Sequence, residues 1–142
     1  MENLDLDDFT SGFSVKKWKI EKGSLTKNNF DSFNIVIPIS KFVIDGEIVE
    51  TSIRLEFIEL VEPISNLVGK TVVFPLNPEE GYIDGSVYLR SVHNPVDVTE
   101  IRFDNIESNI LSLEIVMRFD FEYEGIGFEN ESLTEKFVLE LV

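Results

Sequence analysis

A chain of 142 residues is the size of one ordinary domain and buries roughly two-thirds of its unfolded surface on folding, so a single domain over 1–142 is expected and two separate cores would be a squeeze. Its 27 acidic side chains against 12 basic ones, a formal charge of -15, repel phosphate backbones and anionic lipid surfaces, which sets aside nucleic acid and membrane as partners. The absence of Cys excludes disulfides, thiolate metal centres, iron–sulfur clusters and cysteine nucleophiles.

With 43% hydrophobic residues the chain can fill a core despite its charge. Val, Ile, Thr and the aromatics make up 52 of the 142 residues, while Ala and Gln are missing. Branched and aromatic side chains suit a pleated, half-buried surface better than a helix, so the composition points to strands. Met1–Asp8 is acidic where a signal peptide is positive, and no apolar run reaches the length of a membrane span; a cytoplasmic location is expected.

In chain order, residues 1–10 read as a frayed end or as a turn of helix whose Leu4 and Leu6 cover the core. Phe13 to Lys22 reads as a strand with Trp18 and Ile20 inward and Lys17 and Lys19 in water. Phe33, Ile35, Ile37 and Ile39 alternate next, and Pro38, which has no N–H to give a ladder, marks that strand as an edge. Asp45-Gly46 between Phe42-Val43-Ile44 and Ile48-Val49 is the signature of a two-residue hairpin with positive φ. Ile53, Leu55 and Phe57 continue as strand, and Glu62 to Lys70 is expected to form one short helix.

Thr71–Phe74, Gly85–Val92 and Val96–Asp104 follow as strands, the last with a slip of apolar phase between Val98 and Ile101 that predicts a bulge. From Ile110 to Glu124, Leu111, Leu113, Ile115, Met117, Phe119, Phe121 and Tyr123 take every second position, the pattern of one buried sheet face. Gly125, Gly127 and Asn130 supply turn chemistry before Phe137, Leu139 and Leu141 resume the alternation in a closing hairpin. Strands at short spacing without interleaved helices define an all-β fold. The expectation is one antiparallel β-sandwich or barrel of about eight strands, with at most one or two short helices, the sandwich preferred.

Charge is unevenly placed: residues 1–41 hold six acids and six bases, and residues 42–142 hold 21 acids and six bases. Asp120, Glu122 and Glu124 fall on the polar alternation of the longest strand, with Glu129 and Glu131 in the loop behind them. These five are the expected partner-binding residues, because a row of like charges is offset by a cationic partner and steers its approach. Asn77–Gly85 concentrates three carboxylates and two glycines, which reads as a surface turn; its spacing matches no EF-hand loop. His93, the single histidine, precedes Asn94-Pro95 and reads as a turn residue. Ser86 lacks a nucleophile elbow, and among 27 acids a pair at glycosidase spacing arises by chance. Lys16-Lys17-Trp18-Lys19 is the sole basic cluster and reads as protection of a sheet edge against self-pairing.

The expectation is a non-catalytic acidic domain without cofactor or metal that binds a basic protein, such as an immunity or inhibitor protein masking the phosphate cleft of a nuclease toxin. The alternatives are a barrel or sandwich carrying an apolar small molecule or lipid, and a module that self-assembles into homo-oligomers through open strand edges.

Overall fold

A computed structural model of the chain describes residues 6–28 and 32–142. Among the described residues nine strands form one sheet: β1 (Asp7–Asp8), β2 (Gly23–Lys27), β3 (Phe33–Ile44), β4 (Glu47–Ile58), β5 (Thr71–Val73), β6 (Asp84–Leu89), β7 (Val92–Glu107), β8 (Ile110–Phe119) and β9 (Glu131–Leu141). Seven of them run β3-β2-β9-β8-β7-β6-β4, and β4 pairs back onto β3. The sheet therefore closes on itself, and of the two expected layouts it is the barrel that forms. Closure rests on a parallel pair between the first and last barrel strands, Gly23↔Leu139 to Leu25↔Leu141; the other barrel pairs are antiparallel. β1 and β5 are short additions alongside β3 and β7. Among the described residues no helix is long and apolar enough to cross a membrane.

Alternation fills the barrel. On β8, Leu111, Leu113, Ile115, Met117 and Phe119 are buried while Ser112, Glu114, Val116 and Arg118 face outward, and Ile35, Ile37, Ile53, Leu55, Val87, Val96, Val98 and Leu139 meet them inside. Burial of this apolar surface, about 25 cal/mol per Å², is the main stabilising term. Phe9, Phe13, Trp18, Phe42, Phe119, Phe121 and Phe128 form a connected aromatic cluster, with Phe13 stacked on Phe128 at 4.5 Å between ring centroids.

The Asp45-Gly46 hairpin is present, with φ of 51° and 79° between Ile44 and Glu47. The bulge expected near Val98 lies between Val98 and Glu100, and the closing hairpin delivers β9. Other expectations are corrected. Phe13–Lys22 is not a strand: Ser14 caps a 3-10 turn at Val15–Lys17, after which Ile20 makes a single bridge to Ile39. Trp18 still points inward and Lys17 and Lys19 outward, because the aromatic cluster holds the indole. β3 is not an edge, having β4 on one side and β2 on the other. Pro38 sits where it interrupts the second ladder: its carbonyl accepts from Glu21 N at 3.0 Å, but it has no N–H to return.

Further differences follow, and the first two bear on the candidate site. β8 ends at Phe119 and not at Glu124: Asp120 N still donates to Pro95 O at 3.0 Å, in register with Val96↔Phe119, but Pro95 has no N–H to return, and Asp120–Glu124 becomes a turn over the buried Phe121. Gly85–Val92 is split by a hairpin at Arg90–Ser91, so His93 lies in β7 and not in a turn. Phe57 takes φ 59° and faces water, leaving Ile58 buried in its place. The short helix expected over Glu62–Lys70 is a 3-10 turn at Ile64–Asn66. Asp7–Asp8 pairs with Phe42–Val43; Leu4 lies outside the described residues, and Leu6 is half-buried.

Candidate functional site

Three features that are remote in sequence converge on one surface cleft of about 550 Å³: the Asn77–Gly85 loop, the start of β7 and the turn after β8. Register brings them together. β6 runs beside β7 with Ser86 opposite Pro95 and Tyr88 opposite His93, and β7 runs beside β8 with Asp97 opposite Arg118. Buried Ile83 anchors the end of the loop, and Gly85 allows the close approach of β6 to β7: a Cβ there would sit 2.3 Å from Val96 O.

Four carboxylates line the cleft, those of Asp84, Asp97, Asp120 and Glu124. With them stand the rings of Tyr82, His93 and Tyr123. Asp120 is held in place by its backbone bond to Pro95, and its Oδ1 accepts from Tyr123 N at 3.2 Å. Burial, and then the charge of Asp120, push the Asp97 carboxyl above its ordinary range, with Arg118 opposing them. Asp97 and Asp120 thus add their negative potential in one cleft, and Arg118 offsets it only in part. A cation entering it meets carboxylates along the walls and aromatic faces beside them, the combination that recognises ammonium and guanidinium groups. Among the described residues no group of three or more His, Asp or Glu side chains has the geometry of a metal centre. Nor does a hydrogen bond join the buried Ser86 to His93, whose ring instead meets the edge of Tyr88 at 5.3 Å.

The five expected binding residues separate. Asp120 and Glu124 line the cleft. Glu122 pins the turn, its N–H donating to Asn130 Oδ1 at 2.8 Å and its Oε2 accepting from Asn130 N at 3.1 Å. Glu129 and Glu131 border a second, smaller cleft beside Phe13 and Phe128, and the Glu131 carboxylate is taken up by Ser14 and Val15. Asp97 was not singled out in the sequence, and Tyr123, expected on the buried face of the strand, is exposed in the turn instead. The available signal for Asp97 was its place two residues beyond Pro95 and four beyond His93 on the outer alternation of one strand. A wider cleft of about 740 Å³ lies where β4 and β6 diverge, but Arg90 spans it with ion pairs to Glu47 at 2.9 Å and Asp45 at 3.5 Å.

Comparison with family models, curated proteins and solved structures finds no match.

Proposed function

We propose that this chain is a non-catalytic acidic binding domain that docks on a basic protein, and that the cleft takes one of that protein's arginine or lysine side chains. The observation that carries the reading is the convergence of four carboxylates and three aromatic rings in one cleft on a chain of charge -15. A guanidinium there stacks on a tyrosine while its fork meets paired carboxylates, and the wider acidic field draws the partner in. An immunity or inhibitor protein that masks the positive cleft of a nuclease toxin in the cytoplasm is the concrete case. The barrel interior is packed with Leu, Ile, Val, Met and Phe side chains, and this favours a surface partner over an apolar ligand inside.

The test uses an octa-arginine peptide as probe. Its affinity is expected to fall steeply between about 50 and about 300 mM salt. Asp120→Asn/Glu124→Gln is expected to slow association about tenfold, while Glu107→Gln/Glu140→Gln, which removes the same charge on either side of Ile110 at the other end of β7, leaves it nearly unchanged. Equal losses in the two variants would mean that only global charge is sensed, and the cleft reading would fall.

A further inference from the structure

The barrel has a seam. β2 and β9 are joined from Gly23↔Leu139 to Leu25↔Leu141, but upstream of Gly23 the chain gives its hydrogen bonds to β3. Glu21 N donates to Pro38 O at 3.0 Å, and Lys19 O accepts from Ser40 N at 2.7 Å. Among the described residues no backbone hydrogen bond crosses from Trp18–Lys22 to Ser132–Val138. β9 is paired with β8 from Glu131 to Glu140, so over this stretch its second edge is open. Leu141 N bonds to Asn109 O on the β8 side and Val142 N to Leu25 O on the β2 side. Alternation then assigns the even-numbered amides of Ser132, Thr134, Lys136 and Val138 and the carbonyls of Ser132, Thr134 and Lys136 to the open edge, the Val138 carbonyl being taken by the Gly23↔Leu139 pair. The N–H of Lys136 donates instead to the carboxylate of its neighbour Glu135 at 2.9 Å, in the direction from which an adjoining strand would offer a carbonyl.

A cleft of about 500 Å³ follows the seam, walled by Glu135–Val138 on one side and by Trp18 and Ile20–Lys22 on the other. The indole Nε1 of buried Trp18 has no hydrogen-bond partner there. The surroundings reverse the sign of the molecule. Lys16, Lys17, Lys19 and Lys22 lie on the upstream wall and its approach and Lys136 on β9, all exposed, against Glu21 and Glu135. Lys19 pairs with Asp7 and Lys17 donates to Gly12 O; Lys16, Lys22 and Lys136 form no ion pair among the described residues.

We infer that this seam is a strand-addition groove for an acidic extended peptide of a partner protein. The open edge asks for alternating N–H and C=O groups, which an extended backbone supplies and a folded surface does not. The free lysines ask for carboxylates on that peptide, and half-exposed Val138 gives its apolar positions a seat. The groove is distinct from the acidic cleft and its ligand is of opposite charge, so neither reading depends on the other.

The probe is a capped peptide of about eight residues alternating Glu and Val, followed by fluorescence anisotropy and by amide exchange in the intact chain. Binding is expected, with exchange at Thr134, Lys136 and Val138 slowed at least about tenfold. The same peptide N-methylated at alternate residues, or with Lys in place of Glu, is expected not to bind, and Lys22→Glu/Lys136→Glu to weaken affinity about tenfold. Binding that survives N-methylation, or that leaves those three amides unprotected, would overturn the assignment. So would no binding at all, which leaves the lysines as guards of an edge. Prior protection of the same amides in a concentration-dependent dimer would give the seam to a second copy and overturn it as well.

Discussion

Glu131 and Ser14, more than a hundred residues apart, are joined side chain to side chain. Oε1 of Glu131 accepts from Ser14 Oγ at 2.7 Å, and Oε2 accepts from Val15 N at 3.1 Å. One carboxylate at the start of β9 thus fixes the 3-10 turn that carries Val15 and Trp18 into the aromatic cluster. A hydrogen bond to a charged group contributes about 1.5–3 kcal/mol, and leaving a part-buried N–H without its acceptor adds to the loss. Glu131→Ala is therefore expected to destabilise the fold by about 2–3 kcal/mol in denaturant unfolding, and Ser14→Ala by about 1 kcal/mol. Because the two share an interaction, the double variant should lose less than the sum.

Barrel closure is most sensitive at Gly23. A Cβ added there would lie 2.4 Å from Val36 O and 2.9 Å from Leu139 Cδ2, where β2, β3 and β9 meet. The carbonyl is part of the β2–β3 ladder and cannot retreat without breaking it. Gly23→Ala is expected to cost more than about 2 kcal/mol. At Gly46 the space is open and φ is 79°, so Gly46→Ala carries only the conformational penalty, about 1 kcal/mol. Comparing the two midpoints of equilibrium unfolding separates crowding from backbone strain.

Asp97 gives the fold a pH dependence of definite sign. Burial and the neighbouring Asp120 raise its carboxyl above the unfolded value, and Arg118 only partly offsets them. The folded chain then holds this proton more tightly than the unfolded one. Its contribution favours folding below the unfolded pKa and is lost as pH rises through the folded value. Asp97→Asn should accordingly raise Tm relative to the parent chain at pH 7, by under about 1 kcal/mol for so open a site, and the advantage should vanish near about pH 3.5. Asp120→Asn should lower the Asp97 pKa, read directly by NMR titration. A Tm deficit at pH 7 that shrinks toward acid would mean that loss of the Arg118 partner dominates.

What could be read from the residues follows from range of interaction. The wall of β8 is legible from Leu111 to Phe119 because each residue faces either core or water, and one period records that choice. Phe121 extends the pattern by one more buried residue after the hydrogen bonding has ended, so the burial signal alone places the strand end too late. Closure of β2 on β9 leaves no local mark, since it joins the two ends of the barrel path. Asp120, Glu124, His93 and the loop before β6 each stood out separately, but their meeting depends on the order β6-β7-β8 and on the pairing of Asp97 with Arg118. Asp97 shows in the sequence only that it shares the outer alternation of its strand with His93 and Pro95; what faces it from the neighbouring strand is set by register.

The hairpin at Arg90–Ser91 escaped notice for a different reason: both residues hold positive φ, 54° and 71°, without the Asn or Gly that such a turn favours. Arg90 has a compensating role, since its guanidinium reaches Glu47 and Asp45 and bridges the divergence between β4 and β6. No hydrogen bond of the Ser91 side chain to a described residue offsets its strain. Ser91→Gly removes a left-handed penalty of about 1–2 kcal/mol and adds about 0.5–1 kcal/mol of unfolded-chain entropy. A net gain of up to about 1 kcal/mol is therefore expected, read as a higher denaturant midpoint with unchanged slope. Arg90→Gly relieves similar strain but gives up two surface ion pairs worth together about 0–1 kcal/mol, so its midpoint should rise less than that of Ser91→Gly. If Arg90→Gly proved the more stabilising of the two, the bridge across β4 and β6 would hold nothing in place.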